Sequence, residues 1–280
     1  MNMFRDEMMV YFQAKLDEVR RNYMLVLEKN DHDGVHDLRV ELKRMKAFFN
    51  LMEYITGDFD ARKKFREYKV IARNTCNLRD SQVQQQVLKK VNIILNLDLK
   101  EYEHYLRRKE EENLEIFRKY SAENPIEKLK DRKNNINKAL KIISPVSAET
   151  KAQGRFYNLR NNLVMLGRDG GLKEDMLHKV RILSKEIHYT FEIIQQCLHI
   201  YEDRKDFTVE IKKVHQLLGD WHDYVVGLIY LNEFIRDFRQ DTSIESNVIP
   251  VIKHIREEKR KLLRKFRTVM RGFDELAKLF

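Results

Sequence analysis

Apolar residues recur every three or four positions in two stretches of the chain, which is the spacing of one face of an α-helix. The stripe of the first stretch consists of Leu38, Leu42, Met45, Phe49 and Met52. The stripe of the second stretch consists of Val180, Ile187, Phe191 and Ile194, with Ser184 as a polar interruption. The two stretches lie 142 residues apart and share one design. We therefore predict two related amphipathic helices, each with one face for a core.

Both predicted helices carry a second, basic face turned away from the apolar stripe. Its positions fall at i, i+3, i+7 and i+10, within an arc of roughly 80° at about 100° per residue. The basic row of the first helix is His36, Arg39, Lys43 and Lys46, and that of the second is His178, Arg181, Lys185 and His188. Each helix is thus predicted to present one face to a core and another to an anion.

The rest of the chain also shows helical spacing, and strand alternation of useful length is absent from the sequence. Only 3 prolines and 9 glycines interrupt 280 residues rich in helix formers. We predict an all-α protein, divided at Ser144-Pro145 into halves of residues 1–144 and 145–280. The stretch Asp31-His32-Asp33-Gly34 is expected to make a turn and to supply a capping side chain for the first basic helix, and Asp58 is expected to cap the helix after it.

Two further helix boundaries are expected at matching acidic positions. A helix from Asp60 to Leu78 is predicted to end where Asp80 or Ser81 caps the next one. In the second half, a helix from Val209 is predicted to end at Leu218, just before Asp223. Asp80 and Asp223 are interpreted as helix caps, or as partners that orient neighbouring bases, rather than as ligands. The last predicted helix runs from Pro250 to Phe280.

Charge points to an anionic partner. The chain has 54 basic and 44 acidic residues, a formal net charge of +10. The helix from Asp60 carries another basic row, Arg62, Arg66, Lys69 and Arg73, and the last helix carries Lys253, Arg256, Arg260, Arg264, Arg267 and Arg271. Whether the row from Lys253 to Arg271 belongs to a binding site or is a solvated surface stays open, because Glu257 and Glu258 interrupt it.

The expected location follows from the cysteines and from hydropathy. Cys76 and Cys197 lie inside helical patterns without a disulfide-like spacing, which is typical of reduced cytoplasmic proteins. The N-terminus meets charge too early for a signal peptide, and no run approaches 18 apolar residues. We expect a soluble cytoplasmic protein that does not span a membrane.

Rows of Arg, Lys and His on several helices suit a polyanion whose charges repeat along its length. Arg offers a fork of donors, Lys a mobile point charge, and His a charge that switches near neutral pH. Mutual repulsion lowers the proton affinity of clustered bases, so we expect His36 and His178 to be neutral without ligand and to gain charge on binding.

Two other functions remain as alternatives. His222-Asp223 is similar to the doublet of metal-dependent HD phosphohydrolases, but its predicted neighbours are mostly cationic, which disfavours a metal ion. A helical nucleic-acid-binding protein would also use basic stripes. The paired rows, however, lack aromatic side chains for stacking on bases and Asn or Gln for reading base edges, and Phe48 and Tyr189 lie off the basic arc.

The quoted motifs resemble the CHAD family, whose name refers to conserved histidines in an α-helical domain. The matching residues are Val35-His36-x-Leu38-Arg39-Val40 with Lys43-Arg44, Leu78-Arg79-Asp80, Leu177-His178-x-Val180-Arg181 with Lys185, and Leu217-Leu218-Gly219-x-x-His222-Asp223. Their double occurrence in one order spans nearly the whole chain. The resemblance implies two similar helical bundles related by a pseudo-twofold axis, with basic rows lining a central groove or pore that binds inorganic polyphosphate.

Site residues follow from the resemblance position by position. The predicted polyphosphate-binding residues are His36, Arg39, Lys43, Lys46, Lys69, Arg73, His178, Arg181, Lys185, His188 and Lys212. Gln216 stands at the counterpart of Arg73, so the two halves need not bind the ligand equally. No Glu-x-Glu-x-Lys strand of a triphosphate-tunnel domain is present. The resemblance therefore implies a stand-alone, non-catalytic module without metal or cofactor, associated with polyphosphate granules where those occur.

Overall fold

The computed structural model describes residues 3–168, 173–238 and 242–277, and these residues form an all-α fold. The fold class predicted from the sequence is confirmed. The helices are α1 Met3–Lys29, α2 His32–Thr56, α3 Ala61–Lys64, α4 Arg66–Asn74, α5 Cys76–Leu95, α6 Lys100–Glu123, α7 Lys133–Lys141, α8 Pro145–Arg168, α9 Glu174–Leu198, α10 Lys205–Asp237 and α11 Thr242–Ala277, with a short 3₁₀ turn at Ile126–Lys128. None of the described helices is both long and apolar enough to cross a membrane.

Local capping explains where α2 begins and ends. The Asp31 side chain accepts a hydrogen bond from the Asp33 backbone N–H at 3.2 Å, which satisfies one of the free donors at the start of α2. Gly57 ends the helix with φ of 81°, a conformation that favours glycine. The predicted cap at Asp58 is wrong. Asp60 caps α3 instead and accepts from the Lys63 N–H at 2.7 Å.

The predicted boundary at residues 78–81 is also wrong. The helix is interrupted at Thr75, whose hydroxyl donates to the Ile71 carbonyl at 3.1 Å. The next helix, α5, starts at Cys76. In the second half α10 runs without interruption through Gly219 and Asp223. Asp80 and Asp223 therefore lie inside helices and cap nothing. The last helix likewise starts before Pro250, at Thr242, and the predicted end at Phe280 lies outside the described residues.

Helix packing repeats in pairs on the two sides of Pro145. α1 packs on α2 as α8 packs on α9, and α5 packs on α6 as α10 packs on α11. Several contacts join these sets, among them those of α2 with α9 and α8, of α1 with α9, and of α5 with α10. The described residues form a larger and a smaller hydrophobic core. The smaller one is built from α5, α6, α10 and α11. Each core contains residues from both sides of Pro145. The division into residues 1–144 and 145–280 stays a prediction.

A glycine shapes the crossing of α5 and α10. A Cβ atom at Gly227 would lie 2.7 Å from Gln84 Oε1. The same Gln84 side chain donates through Nε2 to the Asp223 carbonyl at 2.9 Å. The absence of a side chain at Gly227 thus leaves room for the amide that ties α5 to α10 beside Asp223.

Candidate anion-binding site

The basic rows of α2 and α9 face one another where these helices pack. α2 begins four residues before His36, and α9 begins four residues before His178. Both rows therefore start at the same distance from the beginning of their helix. Burial lowers the pKa of Lys43 well below the ordinary lysine value. The charges of Lys185, Arg39, Arg181 and Arg79 lower it further. We call Arg39, Lys43, Arg79, Arg181 and Lys185 the central group.

The other members of the central group are affected in the same way. Burial and the Arg181 charge lower the pKa of Lys185 to about 8. Burial is also the largest cause of the lowered pKa of Arg181 and of Arg79, and Arg39 adds repulsion in both cases. Cations from α2, α5 and α9 thus lie close enough to destabilise each other's charges.

No ion pair with a carboxylate joins any member of the central group within the part of the chain that the structure describes. Basic residues just outside the group are paired. Arg44 contacts Glu41 and Glu192, and Lys15 Nζ lies 3.6 Å from Glu41. The central group is therefore a local excess of positive charge, whereas the nearby Arg44 and Lys15 are paired with carboxylates.

The two arginines of the group are held differently. Arg39 Nη1 donates to the Ala72 carbonyl at 2.8 Å, and its Nη2 lies 3.6 Å from Cys76 Sγ. That carbonyl is available because α4 ends at Asn74, and the last carbonyls of a helix lack partners within it. α10 has no such end at this place, and Arg181 Nε has no hydrogen-bond partner. The break at Thr75 thus anchors Arg39 and leaves Arg181 without an equivalent anchor.

Asp80 and Asp223 border the central group from α5 and α10. Burial raises the pKa of both carboxyls, that of Asp223 to about 6, and Arg181 opposes the rise in each case. Cys76 Sγ donates to Asp80 Oδ2 at 3.8 Å. These carboxyls partly balance the cations electrostatically, and their expected role in orienting neighbouring bases stays a prediction.

Histidines surround the central group. Loss of solvation and nearby cations lower the pKa of His36 and of His178, in the expected direction, although desolvation is the larger cause. The His178 ring lies 5.8 Å from that of His222, whose pKa falls to about 4 through burial and the Arg181 charge. These imidazoles are neutral at pH 7 in the free protein.

Two cavities open beside the central group. The first, of about 370 Å³, is lined by Arg39, Lys43, Lys46, Asn50, Arg62 and Lys69 among others. The second, of about 850 Å³, lies between α9, α10 and α11 and is lined by His188, Val209, Lys212, Lys213, His215, Gln216, Leu217, Lys265, Thr268 and Val269. His215 is linked to the central group because the charges of Lys185 and Lys43 lower its pKa.

The predicted site residues fall into groups in the structure. Arg39, Lys43, Arg181 and Lys185 belong to the central group, with His36 and His178 beside it. Lys46 and Lys69 line the first cavity, and His188 and Lys212 line the second. Arg73 is exposed on α4 and lines neither cavity. The binding role of all eleven residues stays a prediction.

Sequence reasoning left Arg79, His215 and His222 out of the predicted site. Arg79 and His222 were quoted only as parts of motifs, although they precede Asp80 and Asp223 at matching positions. His215 was missed altogether. Its spacing was the available signal, because residues 212, 215 and 222 share one face of a continuous helix.

The exposed row of α11 lies apart from these residues. Lys253, Arg256, Arg260, Arg264, Arg267 and Arg271 are all exposed, opposite the buried Ile255, Phe266, Met270 and Phe273. None of the six lines either cavity. Within the described ranges, no three His, Cys, Asp or Glu side chains gather where they could hold a metal ion.

Comparison with known proteins identifies the family. The family model described as the CHAD domain matches residues 10–231. The chain belongs to the CHAD family. One CHAD structure similar to it is the crystal structure of the CHAD domain from the plant Ricinus communis, with a TM-score of 0.69 and 14% identity over 96% of this chain and 91% of that one.

A second similar structure is PptA from Streptomyces chartreusis, with a TM-score of 0.62 and 13% identity over 95% of this chain and 99% of that one. No curated protein matches the chain. At these identities the structural likeness shows the CHAD fold alone. The family match ends at residue 231, before α11 begins.

Proposed function

We propose that this CHAD protein binds inorganic polyphosphate without transforming it, with the central group as the core of the site. The observation that carries the proposal is the convergence of cations from α2, α5 and α9 that repel one another and form no ion pair with a carboxylate among the residues that the structure describes. An anion seated among them would relieve that repulsion and raise their lowered pKa values. The family resemblance supports polyphosphate as the anion.

The shape of the basic surface favours a linear polyanion over a single phosphate. The central group is continued on one side by Lys46 and Lys69, and on the other by His188, His215 and Lys212. A chain of phosphates can contact several of these residues at once, so its contacts add up without a further loss of translational freedom. A short phosphate reaches only a few of them.

Nucleic acid is a weaker fit to this surface. Phe48 is completely buried and Tyr189 is 7% exposed, so neither ring can stack on a base. Polyphosphate needs only charge and donors at intervals, which the central group and the two cavities offer.

The test compares two variants that each remove two positive charges. Arg39→Gln with Arg181→Gln acts in the central group, and Arg256→Gln with Arg260→Gln acts on the exposed row of α11. Charge-assisted hydrogen bonds contribute about 1.5 to 3 kcal/mol each, so the central pair should weaken binding of long-chain polyphosphate by roughly a hundredfold or more. The α11 pair should cost at most about fivefold, because exposed charges act mainly through screened attraction.

Fluorescence anisotropy with labelled polyphosphate at graded salt measures both affinities, and circular dichroism checks that helicity is kept. Equal losses in the two variants would contradict the proposal, and so would wild-type binding of RNA or DNA of matched charge that equals or exceeds binding of polyphosphate. Release of orthophosphate after addition of a divalent cation, lost in His222→Ala, would support the phosphohydrolase alternative.

A further inference from the structure

The second cavity differs in chemistry from the central group. Val209, Leu217 and Val269 give it an apolar wall, and Lys212 and Lys265 stand on its rim. Its volume of about 850 Å³ lies within the range of sites that hold organic ligands of nucleotide size. An apolar wall offers nothing to a bare phosphate chain, whereas it suits a ligand with an organic part.

Two imidazoles that line this cavity have ring nitrogens without a hydrogen-bond partner among the described residues. His188 is only 7% exposed and its Nδ1 has no partner. His215 is half-buried, and its Nε2 has no partner either. The two rings lie 5.1 Å apart. A buried polar atom without a partner costs about 1 to 3 kcal/mol, so a ligand whose polar groups reached these rings would recover part of that cost.

These imidazoles are neutral, which sets the kind of partner they accept. Burial, with the positive charges of Lys212 and Arg44, lowers the pKa of His188 to about 4, and burial with His188 and nearby lysines lowers that of His215 to about 3. A neutral ring nitrogen either donates or accepts one hydrogen bond. Uncharged donor and acceptor groups, such as those on the edge of a nucleobase, match this pair.

The residues that line the first cavity include no histidine, so the pair of neutral imidazoles belongs to one half only. In the repeat register, His188 corresponds to Lys46 and His215 to Ala72, both of which line the first cavity. The first cavity also has Arg62 and Lys69 on its walls. It is therefore suited to continue a row of phosphates. Both cavities have apolar lining residues, Leu42 and Phe65 in the first and Val209, Leu217 and Val269 in the second, and the second adds the neutral ring nitrogens of two imidazoles.

We propose that the cavity between α9, α10 and α11 binds a nucleoside polyphosphate. The phosphates would contact Lys212 and Lys265, the base would lie against Val209, Leu217 and Val269, and its polar edge would hydrogen-bond His188 and His215. Because His188 and Lys212 are also predicted to contact polyphosphate, a bound nucleotide competes with the polymer for one end of its site. That last consequence rests on the proposed function, whereas nucleotide binding itself does not.

The experiment is isothermal titration of the full chain with ATP, inorganic tripolyphosphate and adenosine, in the presence of EDTA. ATP should bind at least about tenfold more tightly than either of the other two, because only ATP uses both the lysines and the apolar wall. Equal affinities for ATP and tripolyphosphate would overturn the proposal, since the cavity would then recognise phosphate alone.

Two variants localise the nucleotide. His215→Ala removes one of the two unpartnered ring nitrogens, and Val209→Asp places a negative charge on a residue that is 50% exposed, with Val146→Asp, 73% exposed, as its matched control. His215→Ala and Val209→Asp should each weaken ATP binding by about tenfold, and Val146→Asp should leave it unchanged. ATP affinity that neither cavity variant alters would overturn the assignment.

A third variant separates the two proposals. Arg39→Gln with Arg181→Gln should reduce polyphosphate affinity and leave the preference for ATP over tripolyphosphate intact. Loss of that preference in this variant would place the nucleotide in the central group and overturn the assignment to the cavity. ATP binding at the cavity in a protein that fails to bind polyphosphate would refute only the proposed function.

Discussion

At the scale of single residues, the main feature is cationic side chains held where their charge is unfavourable. Lys43 and Lys185 are partly buried beside Arg39 and Arg181, and their pKa values are lowered, that of Lys185 to about 8. Such residues do not stabilise the free protein. The unfavourable free energy of holding these charges close together is offset if an anion binds among them. This is the pattern expected of a binding site.

Replacing these two lysines should therefore stabilise the fold and weaken binding. Methionine has a similar length and no charge, so Lys43→Met with Lys185→Met should raise the free energy of unfolding at pH 7 by on the order of 1 to 3 kcal/mol. Thermal unfolding without ligand measures this change. The same variant should lose at least about tenfold in polyphosphate affinity.

Lys89 and Lys90, which are exposed on α5, supply the control. Their replacement by methionine should leave both quantities nearly unchanged. A central variant that is destabilised, or that binds polyphosphate as the wild type does, would contradict this account of the two lysines.

At the scale of helices, the break at Thr75 makes the two halves unequal. It frees the Ala72 carbonyl for Arg39, while the continuous α10 leaves Arg181 without an anchor of this kind. Arg39 thus has a structural contact in addition to its charge, and Arg181 has charge alone.

The single variants should separate these roles. Arg39→Gln should lower the melting temperature, because it removes the donor to the end of α4, at a cost of about 1 to 3 kcal/mol. Arg181→Gln should leave the melting temperature unchanged or raise it, since it removes an unanchored charge from a cationic group. Both should weaken polyphosphate binding. Equal losses of thermal stability would show that the break does not distinguish the two arginines.

The sequence predicted helices better than it predicted the breaks between them. The apolar stripes and basic rows located α2 and α9, because burial of one face dictates a 3.6-residue period. The break between α4 and α5 depends on the hydroxyl of Thr75, and the continuity of α10 depends on packing. Neither leaves a periodic pattern in the sequence. Arg39, Lys43, Arg181 and Lys185 could be predicted because each row lies within one uninterrupted helix.

At the scale of the whole molecule, one buried and two half-buried imidazoles link stability to pH. The pKa is about 4 for His188 and His222 and about 3 for His215 in the folded protein, against 6.5 in the unfolded chain. Below pH 6.5 these three histidines bind more protons in the unfolded chain than in the folded protein. These histidines therefore contribute stability that is complete above pH 6.5 and is lost as pH falls toward the folded-state values.

Replacing two of them should flatten this dependence. In His215→Asn with His222→Asn, the free energy of unfolding should fall less between pH 7 and pH 4.5 than it does in the wild type, because asparagine does not titrate. Urea unfolding at a series of pH values measures the difference. Parallel curves for the two proteins would mean that the imidazoles are not held neutral in the fold.

The central claim is that one polyanion contacts the rows of α2 and α9 at the same time. Lysine acetylation followed by mass spectrometry, with and without long-chain polyphosphate, tests it at each residue. Polyphosphate should protect Lys43, Lys46 and Lys69 together with Lys185 and Lys212, while Lys89 and Lys90 react as before. Protection confined to one half, or found instead at Lys253 and Lys261 of α11, would show that no single polyanion spans both rows.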